Sequence, residues 1–192
     1  MGAEIRKKLE IYPAPCVPGI AAPARSALSA LLESCPAHGA ALFALGNIAL
    51  REGCVEEAIR CYLQALEETP DAAQLRCNLG IAYQQAGLLD EAMSNLRQSM
   101  LRQADLVLSC LHLAEIQMIR GEEDNAIGSL ERLLRLSPEN ARGNLLLAEL
   151  YDRRGQKDQA KLHYDQAYTA DPKCSAARNR LGELCFLEGK EL

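Results

Sequence analysis

Apolar and polar residues alternate with a helical period from residue 39 to residue 189, and glycines interrupt this alternation at equal intervals. Gly53, Gly87, Gly121, Gly155 and Gly189 are each 34 residues apart. Each interval contains two apolar segments of about a dozen residues that follow the period of a helix, roughly 3.6 residues. Glycine suits the left-handed position after a helix end, because it has no Cβ to clash there. The pattern therefore predicts a repeated helix–turn–helix unit.

Small residues at two further offsets predict that the two helices of each unit approach closely. In the first helix they are Gly46, Gly80, Ala114, Ala148 and Gly182. In the second helix they are Ala58, Ala92, Ala126 and Ala160, followed four residues later by Tyr62, Leu96, Leu130 and Tyr164. Prolines stand where the second helix must end, at Pro70, Pro138 and Pro172. Leucine and alanine must supply most of the core, because aromatic residues make up only 4% of the chain.

This arrangement resembles the tetratricopeptide repeat family, and the resemblance covers residues 39–189. It implies an all-α fold, a right-handed α-solenoid in which antiparallel helix pairs form a superhelix. The family's first large apolar position holds Leu42 in the first copy, but then Arg76, Cys110, Asn144 and Arg178. Ala104 replaces the closing proline of the second copy. These departures concern local packing rather than the fold.

The predicted organisation is an array of repeats between two terminal segments. Residues 1–22 form a proline-containing arm, 23–38 a degenerate half-repeat helix that acts as a cap, and 175–192 a C-terminal capping helix. The four repeats between them are 39–72, 73–106, 107–140 and 141–174. The arm is either partly ordered or docks on the repeats or on a second copy. The last helix either closes the array or leads into a longer one.

Charge and composition limit the classes of partner. The formal net charge is −5 and no long basic run occurs, which argues against nucleic acid or an anionic membrane as the main partner. No segment approaches the roughly 18 apolar residues of a membrane span, so direct membrane insertion is not expected. Prolines interrupt the N-terminal stretch where a secretory leader would need a continuous apolar segment. A cytoplasmic location follows as an expectation.

Catalysis, cofactors and metal ions are not expected. The eight cysteines include no C-x-x-C pair and fit no zinc spacing, so reduced thiols are expected, with Cys61, Cys110 and Cys185 in the core. Cys110 and His112 are two residues apart and would point to different sides of a helix, which disfavours a nucleophile pair. His163 is predicted to lie on the surface or flank of a second helix. The glycines all have a structural role in the repeat, so no phosphate-binding loop is predicted.

The resemblance also implies a binding site, because in this family the first helices line a concave groove. Carrying the family's contact positions across gives Asn47, Arg51, Gln74, Asn78, Ile81, Gln85, Leu108, Leu111, His112, Glu115, Arg142 and Glu149. The same positions also include Cys77, Leu145 and Leu146. Amide and apolar side chains of this kind suit an extended or short helical peptide, although some of them can simply pack within the repeat.

One subfamily of these repeats clamps the C-terminal carboxylate of chaperones with cations. Phe43, Leu108 and His112 occupy the positions of those cations here, so a chaperone-tail clamp is not expected. The predicted function is a non-catalytic scaffold or adaptor that binds a peptide segment of a partner protein in the groove. The alternatives are a self-assembling scaffold or coat protein, which would be a homo-oligomer, and a secretion or assembly chaperone. A regulatory arm of a larger enzyme is a further alternative.

Overall fold

The computed structural model describes residues 22–101 and 106–187, and within them it contains helices and turns but no strand. The helices are α1 Ala22–Ser34, α2 Gly39–Arg51, α3 Val55–Glu68, α4 Ala73–Gln85, α5 Leu89–Leu101, α6 Leu106–Ile119, α7 Glu123–Leu136, α8 Ala141–Arg153, α9 Lys157–Ala170 and α10 Ser175–Leu187. The predicted all-α fold of repeated helix pairs is confirmed. The chain divides into two compact units, Met1–Asp105 (unit 1) and Leu106–Leu192 (unit 2). Each unit is described by itself.

Glycines end the first helix of each pair, as the 34-residue spacing predicts. Gly53 has a φ of 77° and Gly155 a φ of 71°, which are left-handed values that glycine adopts without steric cost. Around Gly53, the Cys54 N–H donates to the carbonyl of Ala49 at 2.8 Å. This bond returns the chain towards the helix it has just left, so that α3 packs on α2. Gly189 lies outside the described residues.

Small residues let the two helices of a pair approach closely. A Cβ added at Gly46 would lie 2.6 Å from Cε1 of Tyr62, and one added at Gly80 would lie 2.8 Å from Cγ of Leu96. Both distances are shorter than side-chain contacts allow. The glycines in α2 and α4 are therefore required by the large buried side chains of α3 and α5.

Unit 2 has a core of leucine, alanine and two tyrosines. Among its members are Ala114, Leu130, Leu147, Ala148, Leu150, Tyr151, Ala160, Tyr164 and Ala177. Cys110 and Cys185 are also buried in unit 2, and Cys61 is buried in unit 1, as predicted for cysteines that pack as small apolar residues. Cys54 is disulfide-bonded, so the expectation that all thiols are reduced is wrong at this position.

A polar side chain replaces the expected apolar one at the start of α8. Asn144 is fully buried, and its Nδ2 donates to the carbonyls of Pro138 at 2.9 Å and Asn140 at 3.2 Å. Its Oδ1 lies 2.9 Å from Nδ1 of His163. The buried amide is therefore satisfied, and it fixes the turn that leads into α8.

His163 lies on the flank of α9, one of the two positions that the sequence predicts, and not on its exposed surface. It is half-buried, its ring stacks on Tyr151 with centroids 5.7 Å apart, and it contacts Asn144. Burial lowers the pKa of His163 below its ordinary value. The sequence did not predict the contact between His163 and the buried amide of Asn144, because the two residues lie on different helices.

The first described helix is held to the next pair by an arginine. Arg25 donates from Nη2 to Glu52 Oε2 at 2.7 Å and from Nη1 to Glu57 Oε1 at 2.7 Å. The Glu52 side chain is only 9% exposed. The predicted division into an arm, a half-repeat cap, four repeats and a C-terminal cap stays a prediction, and most of the arm lies outside the described residues.

Candidate functional site

The predicted contact residues fall into two sets, one in each unit. The unit 1 face consists of Asn47, Arg51, Gln74, Asn78, Ile81 and Gln85, and the unit 2 face of Leu108, Leu111, His112, Glu115, Arg142 and Glu149. All twelve side chains are exposed or half-buried. Three other residues at the family's contact positions, Cys77, Leu145 and Leu146, are buried and belong to the core instead.

The unit 1 face is formed by α2 and α4. Asn47 and Arg51 are one helical turn apart on α2, while Gln74, Asn78, Ile81 and Gln85 follow one another on α4 at steps of three or four residues. Residues at such steps lie on the same side of a helix. The six side chains therefore form two adjacent stripes.

Hydrogen bonds join these two stripes. Asn78 Nδ2 donates to Asn47 Oδ1 at 2.7 Å, and the hydroxyl of Tyr62 donates to the same oxygen at 2.8 Å. Gln74 Nε2 makes a longer bond of 3.4 Å to Asn78 Oδ1. Because Asn47 Oδ1 accepts both short bonds, the orientation of its amide is fixed. None of the described residues accepts a hydrogen bond from Asn47 Nδ2.

Tyr62 is a site residue that the sequence assigned only to packing. Its ring is fully buried beneath the two asparagines. Burial raises the pKa of Tyr62 to about 12, although the neighbouring amide of Asn78 opposes this increase. The hydroxyl therefore stays protonated near neutral pH and remains a donor. The repeat pattern indicates a large side chain at this position, but it does not distinguish tyrosine from the leucine that follows Ala92.

The unit 2 face combines charged and apolar side chains. Glu115 lies at its centre, with its Oε2 3.4 Å from Nδ1 of His112 and its Oε1 3.1 Å from Nη2 of Arg142. Leu111 packs against the core of this unit. Ile119, at the end of the same helix, is 66% exposed. This face therefore offers apolar surface beside a carboxylate that already contacts an imidazole and a guanidinium.

A second group of charged residues lies where α8 meets α10. Arg180 donates to Asp152 Oδ2 at 2.6 Å and to Glu183 Oε2 at 2.6 Å. Hydrogen bonds to Glu183 and to the hydroxyl of Tyr164 raise the pKa of Arg180. Glu149 lies one turn before Asp152 on α8, and no described residue forms a hydrogen bond or ion pair with it. The sequence analysis did not predict Arg180 as part of the site.

The two units carry different chemistry at equivalent positions. Glu149, Tyr164 and Arg180 are each three periods of 34 residues after Asn47, Tyr62 and Asn78. In unit 1 this set consists of two amides over a tyrosine, and in unit 2 it consists of a carboxylate and a guanidinium over a tyrosine. The periodicity would therefore have identified Arg180, had the fifth copy been compared position by position with the second.

Residues 22–101 and 106–187 contain no group of three or more histidine, cysteine, aspartate or glutamate side chains placed to hold a metal ion. No helix in these ranges is long and apolar enough to cross a membrane.

Family models match most of the chain. A TPR repeat model matches residues 41–87. Three tetratricopeptide repeat models match residues 117–166, residues 22–59 together with 145–191, and residues 73–105. No curated protein sequence matches the chain.

Solved structures with a similar fold have low sequence identity to this chain. The crystal structure of MamA protein is 22% identical with a TM-score of 0.69, over 79% of this chain and 82% of that chain. Residues 41 to the end of MamA from Desulfovibrio magneticus RS-1 are 18% identical with a TM-score of 0.69, over 79% of this chain and 85% of that one. The crystal structure of YrrB, described as a TPR protein with an unusual peptide-binding site, is 16% identical with a TM-score of 0.70, over 87% of this chain and 86% of that chain. At these identities the similarity is one of fold.

Proposed function

We propose that this chain, which belongs to the tetratricopeptide repeat family, is a non-catalytic scaffold that binds a peptide segment of a partner protein on the faces formed by its first helices. Repeats of this family generally serve as interaction modules rather than catalytic sites. The observation that carries the proposal is the hydrogen-bonded pair of Asn47 and Asn78 on the unit 1 face.

Two fixed amides suit a peptide backbone. A backbone offers N–H donors and C=O acceptors, and an asparagine side chain offers both kinds of partner. The N–H groups of Asn47 Nδ2 donate to no described residue, so they can donate to a ligand. Among the described residues, Asn78 Oδ1 accepts only the 3.4 Å bond from Gln74. The pair therefore supplies a donor and an acceptor from two adjacent helices.

The buried tyrosine lowers the cost of binding. Asn47 is held by Tyr62 at 2.8 Å and by Asn78 at 2.7 Å, so its amide needs no reorientation when a ligand arrives. A rotamer-rich side chain that becomes immobilised on binding costs about 0.5–1.5 kcal/mol. Side chains that are already ordered avoid most of this loss.

The neighbouring residues add side-chain contacts to the backbone contacts. Ile81 is half-buried and can pack against an apolar side chain of the ligand, while Arg51 and Gln85 are exposed at the ends of the stripes. An extended or short helical peptide with few apolar anchors fits such a surface. The similar fold of YrrB, whose title describes a peptide-binding site, supports the proposal at the level of fold.

The test is a selection of short random peptides, displayed on phage, against the full chain. A selected peptide is then labelled with fluorescein, and its Kd is measured by fluorescence polarisation. With Asn78→Ala we expect the Kd to rise about tenfold, because one backbone hydrogen bond and the support of Asn47 are lost.

The matched control is Asn95→Ala. Asn95 is half-buried on α5, where its Nδ2 donates to the carbonyl of Glu91 at 2.9 Å. Its removal should leave the Kd unchanged, and circular dichroism verifies that both variants remain helical. Equal affinity for Asn78→Ala and wild type would contradict binding at the unit 1 face.

A further inference from the structure

We infer that the partner segment carries a lysine or arginine that pairs with Glu149 on the unit 2 face. This inference rests on the proposed function, because it names the chemistry of the peptide that the face recognises. Ion pairs between α6 and α8 and between α8 and α10 neutralise the neighbouring carboxylates and leave Glu149 for a ligand.

The carboxylates around Glu149 have cationic partners within unit 2. Glu115 contacts Arg142 at 3.1 Å, and Asp152 contacts Arg180 at 2.6 Å. Glu149 lies between Arg142 and Asp152 along α8, and no described residue forms an ion pair or hydrogen bond with it. The guanidinium of Arg180, which lies over the same tyrosine as Glu149, is already paired with Asp152 and Glu183. A negative charge is therefore present at a position that a ligand can reach.

The position of Glu149 is suited to contact with a ligand. It is half-buried on α8, at the place that Asn47 holds three periods earlier in unit 1. Burial raises the pKa of Tyr164, the charges of Asp152 and then Glu149 add to this increase, and Arg180 opposes it, which indicates that the Glu149 carboxylate lies near the tyrosine. A cation that binds there meets a partly desolvated charge, for which a charge-assisted hydrogen bond is stronger than at a fully exposed site.

The surroundings favour a basic side chain over other cations. The long aliphatic stem of lysine or arginine can lie along apolar surface while its charged end reaches a carboxylate. The unit 2 face contains two half-buried leucines, Leu108 and Leu111, that offer such apolar surface. The net charge of −5 attracts basic segments over a longer range and disfavours polyanions such as nucleic acid.

The experiment repeats the phage selection on full-length wild type, Glu149→Gln and Glu149→Lys. The peptides selected on wild type should be enriched in lysine or arginine at one position. Their Kd should rise about tenfold with Glu149→Gln, which keeps the shape and removes the charge. Glu149→Lys should select aspartate or glutamate at that position instead.

The control is Glu139→Lys, which makes the same charge change at an exposed residue in the turn before α8. It should preserve the basic enrichment, and circular dichroism verifies that every variant is folded. Peptides without basic enrichment, or peptides weakened by Asn78→Ala but not by Glu149→Gln, would overturn this inference while the proposed function stands. If no peptide is selected at all, both are overturned.

Discussion

Asn78 donates a hydrogen bond of 2.7 Å from its side-chain amide to Oδ1 of Asn47, and this bond links the first helices of two successive pairs in unit 1. Tyr62 donates to the same oxygen at 2.8 Å from the second helix between them. Three helices are therefore joined at a single acceptor atom. The same two bonds hold the three helices together and orient the Asn47 amide, which is proposed to contact the peptide.

The hydroxyl of Tyr62 should contribute to stability through this acceptor. Tyr62→Phe removes one hydrogen bond to Asn47 Oδ1 and should lower the free energy of unfolding by about 1 kcal/mol, measured by urea denaturation. Tyr83→Phe is the matched control, since Tyr83 is also buried but its hydroxyl makes no hydrogen bond to a described residue. Equal losses for the two variants would contradict the role of the hydrogen bond.

Gly80 should not tolerate even a methyl group. Its added Cβ would lie 2.8 Å from Cγ of Leu96 and 3.2 Å from the carbonyl oxygen of Ala92, so Leu96 and the backbone of α5 would have to shift. Gly80→Ala should therefore lower the free energy of unfolding by about 1–3 kcal/mol.

The same substitution at Gly128 provides the comparison. Gly128 lies inside α7, and an added Cβ would meet nothing within 4 Å. Gly128→Ala should raise the free energy of unfolding by about 0.5–1 kcal/mol, because alanine is the better helix former. Thermal or urea unfolding of both variants checks the pair, and a loss at both positions would contradict the steric explanation.

Arg25 should stabilise unit 1 more than an exposed arginine stabilises unit 2. Arg25→Ala leaves the Glu52 carboxylate buried without its cation, and Oε1 of Glu52 already has no hydrogen-bond partner among the described residues. We expect a loss of about 2–4 kcal/mol in urea denaturation.

Arg142→Ala is the control for this prediction. It breaks an ion pair to Glu115 in which the arginine side chain is 55% exposed. Solvent screens such a pair, so the loss should be at most about 0.5 kcal/mol. If Arg25→Ala lowers the free energy of unfolding no more than Arg142→Ala does, the burial of Glu52 does not strengthen its ion pair with Arg25.

The features that the sequence predicted are those imposed by local steric demands. A left-handed turn requires glycine at Gly53, and close contact with Tyr62 requires glycine at Gly46, so both appear as fixed positions in the 34-residue period. The all-α fold of repeated helix pairs follows from the same period. These residues are recognisable because a side chain would strain the backbone at Gly53, where φ is 77°, and because a Cβ at Gly46 would lie 2.6 Å from the ring of Tyr62.

The contacts that the sequence did not predict depend on where side chains of different helices meet. The bond between Asn144 and His163 and the bond between Asp152 and Arg180 each join separate helices. Their distances are set by packing and by rotamers, which periodicity does not specify. The binding residues, the oligomeric state, the absence of catalysis and the cytoplasmic location stay predictions.

His163 should make the protein less stable in mild acid. Burial lowers its pKa below the ordinary value of 6.5, so below pH 6.5 the unfolded chain binds more protons at this residue than the folded chain. The stability that neutral His163 contributes is therefore complete above pH 6.5 and is lost as the pH falls through the folded-state pKa. Hydrogen bonding with Gln166 and the charge of Glu131 oppose this shift without abolishing it.

The test compares the pH dependence of wild type with that of His163→Gln. Glutamine does not titrate and can still donate to Asn144 Oδ1, so the variant should lose less stability between neutral and mildly acidic pH. Urea denaturation at each pH measures this difference, and an NMR titration of His163 in the folded protein measures its pKa directly. A folded-state pKa above 6.5, or an unchanged pH dependence in the variant, would contradict the proposal that burial between Tyr151 and Asn144 keeps this imidazole neutral.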